Sequence, residues 1–193
     1  MTSLQELLRR AAHDLDALGF GWALVGGLAV SARTQPRFTA DVDLAVAVSG
    51  DQQAEALVRA LGERGWLVDA LVEQDSAKRL ATVRLVEDDA GGPIVDLLFA
   101  SSGIEPEIVQ TAETLEVFPG YQLRVARTGH LIAVKLLARS EAPPQDDADL
   151  RSLVAVADEA DLTIAAAAVE LIEQRGFARG RALSSALAEI SGP

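Results

Sequence analysis

Hydrophobic positions along the chain switch between a helical and a strand period, and the switches mark out its elements. Leu4, Leu7, Leu8, Ala11, Leu15 and Leu18 recur at helical spacing with charges between them, closed by Gly19 and Gly21, which predicts a first amphipathic helix. Phe20–Val25 is a short apolar run read as a strand that ends on Gly26–Gly27, and Leu28–Arg33 resumes as a helix rich in small residues. After a loop containing Pro36, Val42–Val48 has the apolar character of a central strand. Gln52–Arg64 predicts a helix with Ala56, Leu57, Ala60 and Leu61 on one face, stopped by Gly65. Trp66–Val72, Leu80–Val86 and Ile94–Phe99 predict three further strands, the last two joined by the turn-forming Asp88–Asp89–Ala90–Gly91–Gly92–Pro93.

Thr114–Phe118 and Tyr121–Val125 flank Pro119–Gly120 as a small hairpin. From Thr128 the pattern is helical: Leu131–Arg139, Asp147–Ala157, Thr163–Gln174 and Ala178–Ile190, separated by Ala142–Pro143–Pro144, the acids near Asp158, and Gly176. The organisation expected is an α/β core over residues 1–127 and a helical region over 128–193 packed on it, with no internal repeat.

Composition narrows the chemistry. With 193 residues and 49% hydrophobic composition the chain can bury a substantial core. No apolar stretch is long and uncharged enough to span a bilayer, and Met1–Arg10 lacks the apolar run of a signal peptide, so no membrane partner and a cytoplasmic location are expected. There is no cysteine and there are two histidines, which excludes thiolate metal sites and a cysteine nucleophile and leaves carboxylates to hold any metal. The net charge of −12 disfavours generic binding to duplex DNA, although a local patch of Arg33, Arg37, Lys78, Arg79 and Arg139 could receive RNA.

Asp41 and Asp43 lie two apart where a strand begins, so both carboxylates emerge on one side of it. Two like charges so held favour a hard divalent cation, Mg2+ or Mn2+, between or above them; a solvated loop pair or a helix cap is the competing explanation. Asp96 interrupts the apolar strand Ile94–Phe99 and therefore needs a metal or a cation, the competing partner being Arg84 or Arg79. Gly26–Gly27 allows close backbone approach, and amides opening the next helix can face a phosphate, although two glycines are by themselves only a tight turn. A phosphate cradle beside a carboxylate cluster describes phosphoryl or nucleotidyl transfer.

Val25–Gly26–Gly27, thirteen intervening residues and Asp41–Val42–Asp43–Leu44 resemble the signature of the polymerase-β-like nucleotidyltransferase superfamily. Gly26–Gly27–Leu28–Ala29 with Arg37–Phe38–Thr39–Ala40–Asp41–Val42–Asp43, then Lys135, Asp146 and Asp149–Leu150, resemble its AbiEii-like, abortive-infection toxin branch. The resemblance covers about Val25 to Leu150 and implies an α/β (α+β) nucleotidyltransferase fold with a mixed central sheet flanked by helices. It also implies transfer of a nucleoside monophosphate from an NTP, with Asp41, Asp43 and Asp96 as metal ligands or, for Asp96, base. Gly26, Gly27, Arg37, Thr39, Lys135 and Asp146 would bind the nucleotide. Gly27 stands where many superfamily members carry serine, so only its amide is available. Implied partners are the NTP, an acceptor that is RNA or tRNA, protein or a small molecule such as an aminoglycoside or lincosamide antibiotic, and an antitoxin protein; a catalytically idle regulatory module is the alternative of another class.

Several residues have plainer readings. Lys135 shares a helical face with Leu131 and Arg139, as a surface lysine would, and Asp146, Asp147 and Asp149 open a helix, where acids suit the dipole. His13 and His130 are expected to be structural or exposed, Asp88 and Asp89 to serve a turn, and Trp22 and Trp66 to lie in the core.

Overall fold

The computed structural model describes residues 3–74, 78–88, 91–139 and 144–192, the last without the Pro144 side chain; Asp89, Ala90, Ala142 and Pro143, on which turn expectations fall, lie outside them. The described elements are α1 (Leu4–Ala17), β1 (Trp22–Val25), α2 (Gly26–Arg33), β2 (Asp41–Val46), α3 (Asp51–Glu63), β3 (Leu67–Gln74), β4 (Arg79–Val86), β5 (Ile94–Leu98), α4 (Glu105–Thr111), β6 (Glu113–Phe118), β7 (Tyr121–Val125), α5 (Thr128–Ala138), α6 (Pro144–Val156), α7 (Glu159–Gln174) and α8 (Leu183–Ile190). The seven strands form one mixed sheet in the order β3-β4-β5-β2-β1-β7-β6. β2 runs parallel to β5 and β1 parallel to β7, while the other neighbours are antiparallel.

Register divides the sheet into an apolar and a polar side. Val42 and Leu44 of β2 stand opposite Val95 and Leu97 of β5, which stand opposite Leu85 and Val83 of β4, and all six are buried. The intervening Asp43, Asp96 and Arg84 are also in register with one another and so share the opposite face. α1 packs against β2 and β5 and α3 against β4, and the apolar row joins Leu7, Leu8, Leu15 and Leu57 in one core. Trp22 and Trp66 are core residues as expected, each with its indole N–H satisfied: Trp22 Nε1 donates to Asp16 Oδ1 at 2.7 Å and Trp66 Nε1 to Asp14 Oδ2 at 2.8 Å.

The largest departures from expectation lie late in the chain. The pattern missed α4, a short helix whose N-terminal Glu105–Pro106–Glu107 carries the proline and acids of a first turn. The last helix begins at Leu183 rather than Ala178, because Arg179 and Gly180 both have positive φ, 54° and 74°, and make a turn closed by the Arg181 N–H donating to the Ala178 carbonyl at 3.0 Å. α7 begins at Glu159, four residues early, because the Asp158 side chain caps it through the Asp161 N–H. None of the described helices is long and apolar enough to cross a membrane.

α5, the most buried of these helices, lies against α7 at a distance set by Gly129, where a Cβ would stand 2.3 Å from the Asp161 carbonyl and 2.8 Å from Ile164 Cβ. Gly129→Val is therefore expected to push α7 away and lower stability by about 1–3 kcal/mol or more, read as a shifted midpoint in urea unfolding; an unchanged midpoint would contradict this packing.

Candidate active site

The site begins with the pairing of β2 and β5. Asp43 and Asp96 are direct neighbours on parallel strands, and Asp41 lies one pleat away on the same face. Burial pushes the Asp43 carboxyl up to about 6, with the charges of Asp96 and then Asp41 acting in the same direction; Lys135 and a hydrogen bond from the Gly27 amide oppose them. Asp96 has the arginine partner that the sequence offered as its alternative. Arg84, opposite it on β4, donates from Nε to Oδ1 and from Nη2 to Oδ2, both at 2.9 Å. That fork fixes both carboxylate oxygens and holds the guanidinium above its ordinary pKa, while the Arg84 side chain stays 41% exposed. Arg79, the other arginine considered, instead donates to Asp51 Oδ1 at 2.6 Å.

The glycine turn fits the chain's own side chains closely. Gly26 has φ +63°, and a Cβ there would lie 1.9 Å from Asp43 Oδ2, so the missing side chain is what lets Asp43 reach the turn. At Gly27 a Cβ would lie 2.9 Å from both Arg37 Nη2 and Thr39 Oγ1. A side chain at position 27 would thus displace Arg37 and Thr39, which is the physical reason for glycine here. α2 starts at Gly26 with no side-chain cap, leaving its first amides to other partners.

The helical region supplies the cations together with their counterions. Lys135 Nζ lies 2.8 Å from both Asp146 Oδ1 and Asp149 Oδ2, and Arg37 Nη2 lies 2.7 Å from the same Asp149 oxygen. Burial opposes the Lys135 charge, but the hydrogen bonds to Asp146 and Asp149 outweigh it and hold the ammonium above its ordinary value. Asp149, nearly inaccessible, is likewise opposed by burial and held below the usual carboxylate range by Lys135, Arg37 and Gln145. Lys135 is therefore a partly buried, paired group rather than a surface lysine, and Asp149 is bound into the site rather than acting as a solvated helix cap. The pairs leave one donor over: Arg37 Nε is buried without a hydrogen-bond partner among the described residues.

Gly26, Gly27, Arg37, Thr39, Asp41, Asp43 and Lys135 line one cleft of about 360 Å3, with Leu131, Val134 and Ala138 of α5 as an apolar wall. Asp96 stands behind Asp43, tied to Arg84, and Asp146 reaches the cleft through Lys135. Two groups of lining residues escaped the sequence reading: Ser101 and Ser102, just past β5, and Arg179. Hydrophobic periodicity carries no signal for loop residues such as these. His130 is buried, where desolvation holds it near 4 and hence neutral, and His13 is exposed.

Among the described residues no three His, Cys, Asp or Glu side chains are arranged to hold a metal ion. Asp41 and Asp43 nevertheless fit Mg2+ or Mn2+, since such an ion is commonly held by one or two carboxylates and completed by substrate phosphates. The raised Asp43 carboxyl is the observation that favours this fit.

Residues 6–191 match the family described as nucleotidyl transferase AbiEii toxin, type IV TA system. No curated protein matches the chain. Among solved structures it resembles an antigenic nucleotidyltransferase-like protein from Paracoccidioides brasiliensis, at 20% identity and TM-score 0.52 over 94% of this chain and 90% of that one. It also resembles the antibiotic-resistance factor ANT(2'')-Ia in solution, at 19% identity and TM-score 0.53 over 95% of this chain and 94% of that one. A crystal structure of ANT(2'')-Ia with adenylyl-2''-tobramycin gives 19% identity and TM-score 0.54 over 85% of this chain and 95% of that one. These likenesses establish the nucleotidyltransferase fold.

Because folding raises the Asp43 pKa, the ionised carboxylate weighs against the folded state above pH 6 and ceases to do so as pH falls towards 4, where it is protonated. Asp43→Asn is accordingly expected to be more stable than wild type at pH 8, by about 1–3 kcal/mol, with the difference fading towards pH 4. Denaturant melts at the two pH values check this, and equal stability at pH 8 would show that Asp43 is not under strain.

Proposed function

The chain belongs to the AbiEii family of nucleotidyltransferases, and we propose that it transfers a nucleoside monophosphate from an NTP to an acceptor hydroxyl in a reaction that requires Mg2+ or Mn2+. The observation that carries the reading is the crowded carboxylate trio, in which burial and then the charges of Asp96 and Asp41 push the Asp43 carboxyl up to about 6. Asp41 and Asp43 would hold the divalent ion, which supplies charge neutralisation at the triphosphate and polarises the phosphorus under attack. The Gly27 side of α2, the Arg37 Nε–H and Thr39 would receive phosphate oxygens, and the base would rest on the apolar wall of α5. Asp96 would complete the site as ligand or accept the acceptor's hydroxyl proton, once one arm of its fork with Arg84 opens. The acceptor oxygen bonds to the α-phosphorus, the bridging bond to the β-phosphate breaks, and pyrophosphate leaves. On this reading residues 1–127 carry the metal and phosphate machinery, while 128–193 supply Lys135 and its partners Asp146 and Asp149, which hold it and Arg37 in place.

The family description, a toxin of a type IV toxin–antitoxin system, supports an antitoxin as counterpart; we place the protein in the cytoplasm, with RNA or tRNA as the first acceptor. One observation favours a second acceptor. Of the five basic residues available for an RNA groove, four are paired, Arg33 with Glu113, Arg37 with Asp149, Arg79 with Asp51 and Arg139 with Asp147, which leaves Lys78. With those charges neutralised and the chain at −12, a small cationic acceptor is electrostatically better suited than a polyanion.

Incubation with each α-labelled NTP, Mg2+ and either total RNA or a panel of aminoglycosides and lincosamides should label one acceptor class. Labelling is expected to fall by about 100-fold or more in Asp43→Ala, the loss of several kcal/mol of transition-state stabilisation, and to vanish with a chelator. Equal transfer by Asp43→Ala would sink the reading. At sub-saturating Mg2+ and NTP, where kcat/KM reports the free enzyme, the rate is also expected to decline as pH is lowered through about 6, where Asp43 takes up a proton; a kcat/KM profile flat between pH 5 and 8 would contradict the role given to Asp43.

A further inference from the structure

Arg179 lines the same cleft as Asp43 and Lys135 from a segment near the end of the chain, beyond the reach of the motifs. That segment is fastened to the loop after β5 at three successive points. Arg175 donates to the Gly103 carbonyl and to both oxygens of Glu107, at 3.1 and 2.6 Å. The Phe177 ring lies over Gly103 so closely that a Cβ on that glycine would stand 2.5 Å from it. Arg179 Nη2 donates to the Ser101 carbonyl at 3.0 Å. The loop that carries Ser101 and Ser102 into the cleft thus carries Arg179 with it.

Two features make this arginine unusual. It sits at φ +54°, followed by Gly180 at +74°, in a turn whose first central position suits glycine or asparagine rather than a long side chain. Backbone strain of this kind is concentrated at functional sites. Of the three cations lining the cleft, Arg37 and Lys135 are neutralised by Asp149 and Asp146, whereas Arg179 makes no ion pair among the described residues. Burial and the nearby Arg181 weigh against its charge, and the Glu105 carboxylate offsets them only at a distance, without an ion pair, so an anion brought to it would meet a guanidinium with donors to spare.

We infer that Arg179 is a phosphate-binding residue of the cleft, held out on its strained turn to meet a phosphate group of a ligand. The inference rests on the nucleotidyl-transfer reading, in which that phosphate comes from the triphosphate tail of the NTP or from the acceptor. Calorimetric titration with Mg2+ and an α,β-methylene NTP analogue, the matching nucleoside monophosphate, and a short oligoribonucleotide with or without a 5′-phosphate separates the sources. Arg179→Gln is expected to weaken triphosphate binding by about tenfold or more, as loss of a charge-assisted bidentate contact does, with Arg179→Lys intermediate and the monophosphate less affected. Weakening confined to the 5′-phosphorylated oligonucleotide supports the same role with the acceptor as source. Arg179→Gly, which relieves the turn but gives up the hydrogen bond to the Ser101 carbonyl, is expected to stay folded and still bind poorly. Wild-type affinity for every phosphate probe in Arg179→Gln, or in a folded Arg179→Gly, overturns the inference while leaving the nucleotidyltransferase reading intact. Absence of triphosphate and oligonucleotide binding by wild type overturns both.

Discussion

Repulsion among like charges is the constraint around which the rest of the molecule is arranged. Parallel pairing of β2 with β5 places Asp43 and Asp96 side by side, Asp41 stands one pleat away, and burial raises the cost of ionising the central carboxylate. A sheet built for stability alone would put an apolar residue at each of these positions, as it does one residue along, where Leu44 faces Leu97. The rest of the site offsets this cost. Arg84 takes the whole of Asp96, Gly26 has no side chain so that Asp43 can come forward, and the Gly27 amide bonds to it.

The cations from the helices extend the same logic outward. Lys135 of α5 faces Asp43 and also bridges Asp146 and Asp149 of α6, while Arg37 reaches Asp149 from the loop before β2. A single nearly inaccessible carboxylate therefore couples the loop leading into the Asp41–Asp43 strand to the helical region. Loss of Asp149 would leave Lys135 with Asp146 alone and Arg37 without its ion pair, so Asp149 holds both cations in place without itself lining the cleft.

Much of this was legible in the sequence because it is written in strong local patterns. The switch of period at Gly26–Gly27, the paired aspartates opening a strand and the lone Asp96 in an apolar run each reflect a local cost that has to be offset nearby. The helical region was legible as helices, yet its capping was not: Asp158 begins α7 four residues early, and the turn at Arg179 removes the first turn expected of the last helix. α4 was invisible because seven residues hold too few turns for a periodic stripe. Pairing preferences were the hardest to read. Arg84 and Arg79 were equally eligible for Asp96, and only the β4–β5 register, a long-range property, selects Arg84. Arg179 has no periodic signature at all; its place in the cleft comes from the packing of Phe177 on Gly103.

The proposed metal role of Asp43 depends on its carboxylate being strained by burial and by its acidic neighbours. Its carboxyl carbon can be followed by NMR in protein labelled at aspartate, across pH, with and without Mg2+ and an unreactive NTP analogue. A midpoint near 6 in the absence of metal, moving well down when both are added, is the result expected. A midpoint near that of an ordinary aspartate without metal, or one that does not move on addition, would contradict it.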